Sequence, residues 1–481
     1  TDYWGLTSTG TGMTNEVDSP PTQSELNSIV YENGSFIIAW EQNNDDDFHS
    51  YILIESNTDN MNDYTNIFII NNQPDTSYTI NVNEWEYRYY QLIVQDIWGL
   101  ISLSNIEIGD SHVWFLETFG GSNHDQGNSV QQTEDGGYII TGKTSSYGNG
   151  ESDLWLIKTD SQGQEEFSNT FGGSDAEEGN SVQQTEDGGY IIAGETRSYG
   201  GGWRDVWLIK TDSQGQEEWN QTFGGSNHDK GNSVQQTEDG GYIITGYTYS
   251  YGNGNNDVWL IKTDSQGNEE WNQTFGGSLL DKGNSVQQTE DGGYIIAGDT
   301  YSYGNGNNDV WLIKTDSQGN EEWNQTFGGS LLDKGNSVQQ TEDGGYIIAG
   351  DTYSYGNGNN DVWLIKTDSQ GNEEWNQTFG GNYTDEGFSV QQTEDGGYII
   401  TGNTESYGNW REVWLIKTDS QGNEEWNQTI GGSEIDKGYS VQQTEDGGYI
   451  IAGETRSYGG GWRDVWLIKT GPLGNTADYG N

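Results

Sequence analysis

One unit is repeated seven times over about three-quarters of the chain, and this repetition limits the architecture more than any single residue does. The Tyr of the phrase DGGY falls at Tyr138, Tyr190, Tyr242, Tyr294, Tyr346, Tyr398 and Tyr449, spaced by 52 residues except for 51 at the last step. Residues 269–320 and 321–372 are identical, the mark of recent duplication. A fixed period of this size built from short strands implies a propeller, a solenoid or another stacked array.

Each unit reads as four strands. In 281–327 these are GNSVQQT, YIIAGDT, DVWLIKT and EEWNQTF, separated by an EDGG turn, a YSYGNGNN loop and a DSQGN turn. Val, Ile, Trp, Tyr and Thr fill the strands, while Asp-Gly and Gly-Asn mark the turns. Gly every few residues excludes long helices. Four antiparallel strands repeated radially make a β-propeller blade. The first recognisable element, VWFLETF (113–119), aligns with the fourth strand, and the last, DVWLIKT (464–470), with the third. Seven of each strand type result only if 113–119 completes the blade begun by 439–470. The expected fold class is therefore all-β, with a closed seven-bladed propeller over 111–470 and no open sheet edge.

The strand order resembles that of WD-repeat propellers. The turn GNEEW resembles the Gly-x-Glu-x-Trp end of the tryptophan-docking motif in quinoprotein propellers, one residue shorter. DGGYIIAG…WLIKTDSxGNEEWNQTFGG is similar to propeller repeats of large surface and secreted proteins of marine bacteria and methanogenic archaea. The likeness covers roughly 113–470 and implies a fold and a surface setting, but little about activity, since one propeller fold hosts many functions.

Residues 19–110 read as a separate domain. Pro20-Pro21 opens it, and SFIIAW (35–40), YILIES (51–56) and YYQLIVQD (89–96) read as strands. Trp40, Tyr51 and Tyr90 are placed as in a β-sandwich that resembles fibronectin type III. DYWGLTS (2–8) echoes DIWGLIS (96–102), so 1–18 is expected to be the tail of a preceding similar domain and 471–481 a linker to a following segment.

The chain has no Cys, so neither disulfides nor thiol metal sites contribute. No apolar run approaches 18 residues, so direct membrane insertion of this segment is not expected. The 76 acidic residues against 18 Lys and Arg give a net charge of −58. So few cations cannot neutralise phosphates, which excludes nucleic acid and anionic membranes as partners. Low hydrophobicity with high charge would indicate disorder, but the periodic large aromatics supply a core. An acidic, cysteine-free segment of this type fits an extracellular or cell-surface location, in a saline medium that screens its self-repulsion.

The EDGG and DSQGN turns share one face and barely vary. The other face carries the variable loops, where binding residues collect on a rigid scaffold. Tyr147, Tyr199, Tyr251, Tyr303, Tyr355, Tyr407 and Tyr458, with Trp203, Trp410 and Trp462, are the candidate ligand-binding residues there, suited to stacking on sugars or a protein partner; the Tyr rings could equally brace the loops. Asp125, Glu177, Asp229, Asp281, Asp333, Asp385 and Asp436 form a carboxylate series able to offer oxygen ligands to Ca2+, the candidate cofactor. A second series, Asp153, Asp205, Asp257, Asp309, Asp361, Glu412 and Asp464, precedes the third strands. Both also suit loop capping by accepting backbone N–H bonds. His124-Asp125 and His228-Asp229 have no evident third partner. Asp45-Asp46-Asp47 reads as a solvated turn. Asn33, Asn220, Asn272, Asn324, Asn376, Asn382 and Asn427 occupy glycosylation sequons; those of the fourth strands are expected to point away from the packed side.

Departures from the repeat (Lys143, Tyr247, Phe388, Tyr439) suggest no acid/base pair or nucleophile constellation, so no catalytic residue is assigned. The expectation is a non-enzymatic binding or structural module of a larger tandem surface protein, presenting its loop face to a protein or cell surface. A calcium-assisted, lectin-like module for surface polysaccharide and a self-associating subunit of a surface layer or fibre are the alternatives.

Overall fold

The computed structural model describes residues 19–476, apart from 28, 33–34, 59, 82–86, 111–113 and 409. The expectations for 1–18 and for Asn33 fall outside the described residues. The chain divides into two compact units, one preceding Trp114 and one from Trp114 onward.

The first unit has seven strands: β1 (Val30–Glu32), β2 (Ser35–Ala39), β3 (Phe48–Ser56), β4 (Thr65–Ile70), β5 (Ser77–Asn81), β6 (Tyr87–Asp96) and β7 (Ile101–Asp110). They form a three-stranded sheet in the order β1-β2-β5 and a four-stranded sheet in the order β4-β3-β6-β7. Alternation along β2 and β6 turns Phe36, Ile38, Tyr90, Leu92 and Val94 into one core with Trp40, Tyr51 and Leu53. Trp40 meets Tyr51 edge-on with ring centroids 5.4 Å apart.

The second unit begins with β8 (Phe115–Phe119), then β9 (Asp125–Gln132), β10 (Tyr138–Thr144), β11 (Asp153–Thr159) and β12 (Glu165–Phe171). β13 to β32 (177–430) repeat that four-strand order five times, and β33 (Asp436–Gln443), β34 (Tyr449–Thr455) and β35 (Asp464–Thr470) follow. Among the described residues, eight sheets have four strands; seven of them are the blades of this unit and one lies in the first unit. The last blade has the order β33-β34-β35-β8, with Phe119 opposite Val465 and Phe115 opposite Lys469.

The second and third strands of each blade are buried at nearly every position, because both of their faces meet a neighbouring blade. That explains why they read as continuous apolar runs rather than alternating ones. Consecutive blades are joined by two devices. The innermost strand has an edge whose N–H groups no strand covers, and side chains of the adjacent blade accept from it. Val182 N donates to Ser129 Oγ at 3.3 Å, and Gln184 N to Gln131 Oε1 at 2.6 Å. At the outer edge, an aromatic ring of one blade packs on the turn glycine of the next: a Cβ on Gly267 would lie 2.4 Å from Trp219.

The last blade meets the first with the same contacts. Val130 N donates to Ser440 Oγ (3.2 Å), Gln132 N to Gln442 Oε1 (2.6 Å), and Phe115 packs on Gly163. The start of 471–481, expected as a linker, differs from that expectation. Residues 471–475 close a turn through Gly471 N to Asn475 O (3.0 Å), and Trp426 packs on Gly474 as Trp219 does on Gly267. GPLGN is the last blade's version of DSQGN.

Candidate functional site

Strand order puts the EDGG and DSQGN turns at one end of the blades and the variable loops at the other. On the loop face the seven tyrosines serve as braces. Each hydroxyl donates to the carbonyl of the first Gly in the preceding Gly-Gly pair, at 2.8–3.1 Å. Each ring leans on the third-strand Trp of its own blade, with centroids 5.2–5.4 Å apart. Roughly half of each ring of Tyr147, Tyr199, Tyr251, Tyr303, Tyr355 and Tyr407 still faces outward, while Tyr458 is half-buried.

The three loop tryptophans are different: Trp203 is 84% exposed, Trp462 73% and Trp410 64%. Third-strand tryptophans of the same blades, such as Trp207 and Trp466, are buried. Tyr383 and the Leu279-Leu280 pair add exposed apolar surface on the loops that enter the first strands. His124 stands edge-on to Trp462 at 5.6 Å.

The first carboxylate series is buried and supplied with donors. Asp229 accepts from the Thr248 hydroxyl, Ser250 Oγ (2.6 Å), Ser250 N (3.3 Å) and Gly225 N (3.0 Å). Asp125, Asp281, Asp333, Asp385 and Asp436 repeat the arrangement, and Glu177 reaches the same neighbours with one more methylene. These acids tie a first strand to the loop between the second and third. The second series caps that loop: Asp309 Oδ2 accepts from Asn305 N (2.7 Å) and Gly306 N (3.0 Å). Burial pushes the Asp205, Asp257, Asp309, Asp361 and Asp464 carboxyls above the usual range, and the neighbouring first-series acid adds to the effect.

Two expectations change at the side-chain level. His228 does have a further partner, Glu195 at 3.5 Å, with Tyr247 at 5.6 Å. Burial, then Arg204 and Lys230, hold that imidazole below its ordinary pKa. Lys143 pairs with Glu178 at 3.2 Å, while Phe388 packs at a tilt against Tyr439 with ring centroids 5.3 Å apart. The departures from the repeat therefore gather beside the innermost strands, where each site is occupied by its own partners. Asn220 is exposed, as an outward-facing residue would be, but its amide is engaged. Its Oδ1 accepts from Trp207 Nε1 (3.0 Å) and its Nδ2 donates to Glu217 (2.6 Å), a pattern kept at Asn272, Asn324, Asn376 and Asn427. Asn382 lies exposed in a loop. In the first unit, Asp45 takes up Thr22 Oγ1 at 2.8 Å and Asn43 Nδ2 at 3.1 Å, which makes the acidic run a pinned turn.

The opposite end holds features that the sequence alone does not reveal. A cavity of about 850 Å3 opens among the Gln-Gln-Thr-Glu segments of all seven blades, such as Gln131 to Glu134. Beneath the EDGG turns each blade buries a lysine. Lys262 meets Asp239 at 2.9 Å, Glu270 at 3.0 Å and the Thr263 carbonyl at 2.9 Å. A repeated Lys eight residues before a Glu was the available signal, but the EDGG Asp is 23 residues away and needed the fold.

No protein-family model and no curated protein matches the sequence. Solved structures similar to the chain include the Pan2 WD40 domain of Neurospora crassa, 10% identical over 78% of this chain and 99% of that one, with a TM-score of 0.49. Another is the extracellular domain of BT4673 from B. thetaiotaomicron, 12% identical over 94% and 52%, with a TM-score of 0.42. A third is the endo-1,5-alpha-L-arabinanase of Thermotoga petrophila RKU-1, 12% identical over 73% and 99%, with a TM-score of 0.31. The architecture described above stands on the strand pairing of this chain.

Proposed function

We propose that this chain is a non-enzymatic binding module of an extracellular, tandem surface protein, in which a closed seven-bladed propeller presents its variable loop face to a protein or cell surface. The ring reading is supported by the β35–β8 pairing and by the shared contacts of the last and first blades. The β1-β2-β5 and β4-β3-β6-β7 order supports a fibronectin type III-like spacer for the first unit. The acidic surface argues against nucleic acid and anionic membranes as partners.

The observation that carries the binding reading is the exposure of Trp203, Trp410 and Trp462 in a fold that buries its third-strand tryptophans. Exposed indoles on rigid loops are the residues that dominate binding energy when they meet a partner. Their Gly-, Asn- and Arg-bearing loops also favour a second reading, stacking on surface polysaccharide. Changing all three to Ala should abolish adhesion to the partner surface or to a polysaccharide, since each buried indole contributes about 2 kcal/mol or more to binding. The melting temperature should be retained. Loss of self-association alone would assign the face to assembly. A triple variant that matches the parent in every binding assay would remove the loop face from consideration.

A further inference from the structure

The two carboxylate series meet at every blade junction, and they are not equally satisfied. The first series has its donors. In the second, Oδ1 of Asp205, Asp257, Asp309, Asp361 and Asp464 is buried with no hydrogen-bond donor, on residues that are each 1% exposed. A buried anionic oxygen without a partner costs several kcal/mol, and the same orphan recurs at five equivalent places. It does so although Asn, abundant in these loops, could accept the same backbone bonds without a charge.

The orphan oxygen faces other oxygens. A Cβ placed on Gly328 would lie 1.9 Å from Asp309 Oδ1 and 2.8 Å from Asp333 Oδ2. A Cβ on Gly306 would lie 3.3 Å from the same Asp309 Oδ1 and 2.7 Å from both the Gly329 and Leu331 carbonyls. Two carboxylates and two main-chain carbonyls thus gather where the loop before one blade's third strand meets the loop entering the next blade. The junction of the last and first blades has the same set: Asp464 Oδ1, Asp125 Oδ2 and the carbonyls of Gly121 and Asn123. The Gly-Gly pair leaves room for it, because a side chain on the first Gly would overlap the carboxylates.

We propose that five blade junctions each hold one Ca2+, bound by the carboxylate opening a third strand, the carboxylate opening the next blade's first strand, and main-chain carbonyls of the loop between them. Oxygen-only ligands and loop carbonyls are the donor set of a hard cation of flexible geometry. The ion would neutralise the desolvated carboxylate and tie two loops whose aromatics form the loop face. The site is centred on the orphan Oδ1 of the second series; the first-series Oδ2, which already accepts from a loop amide and a Ser hydroxyl, joins it as a shared ligand. It does not depend on what the loop face binds.

Calorimetric titration of Ca2+ into the EDTA-treated chain at constant ionic strength should give five sites. Asp309→Asn, which keeps an acceptor for the Asn305 and Gly306 amides, should lower the number to four. An unchanged number would put the ions on exposed acids and overturn the assignment, as would no binding at all. If that variant does not fold, the unsubstituted chain decides: its melting temperature should rise saturably with Ca2+, and less with Mg2+, which dehydrates reluctantly. Equal melting temperatures in Ca2+ and EDTA would mean that Cα–H contacts from the glycines or water alone satisfy Oδ1, and would refute the proposal.

Discussion

Few residues show the logic of this chain better than its lysines. Of 18 Lys and Arg, seven are the repeated lysines beneath the EDGG turns, each in contact with acids of its own blade. Burial works against the ionised form of Asp239, but the Thr237 hydroxyl, Lys262 and the Gly241 amide together hold its carboxyl down to about 2; Asp291, Asp343 and Asp395 match it. A carboxyl whose folded pKa is depressed adds stability that is complete above its unfolded pKa near 4 and is lost as pH falls toward 2. Lys262→Met should therefore cost about 1–3 kcal/mol at pH 7 from the missing charge-assisted bonds. The gap from the parent in urea unfolding should close as pH falls from about 4 to 2. A gap that stays constant would show that Lys262 acts by packing alone.

At the scale of elements, the turn glycines separate backbone strain from packing. Gly267 and Gly240 both have positive φ, 78° and 80°. A Cβ on Gly240 meets nothing within 4 Å, whereas one on Gly267 strikes the Trp219 ring of the preceding blade. Gly240→Ala should cost about 1–2 kcal/mol, the left-handed penalty. Gly267→Ala should cost about 2–5 kcal/mol, because overpacking is added to it; equal costs would remove the docking contact from the account. Strands, turns and the Gly–Trp spacing were legible in the sequence because each is a local pattern repeated seven times. The roles of Ser129 and Gln131 were not, since their acceptor bonds run to the next blade some 53 residues away. Nor could the sequence show which acid series is satisfied. Asp281 and Asp309 look alike as letters and differ only in the hydroxyls around them.

For the whole molecule, the long-range feature is the joining of the ends. β8 lies more than 300 residues from β35, yet it supplies the fourth strand of the last blade and, through Phe115, the ring that packs on Gly163. Without it, β35 becomes an exposed, apolar edge, a template for aggregation. A repeat stack whose ends are not joined gains stability only from neighbours, whereas a ring adds the contact of last blade with first. The pairing of β8 with β35 was legible from the count of strand types. The cavity among the Gln-Gln-Thr-Glu segments was not, because nothing in a single repeat marks the space enclosed by seven. The deciding measurement is urea unfolding of a chain lacking residues 114–119, beside one in which that strand is restored after the 471–475 turn. The ring account predicts a large loss of stability or aggregation on deletion, with recovery when the strand is restored at the other end. A deletion variant that unfolds at the same urea concentration as the parent would contradict it.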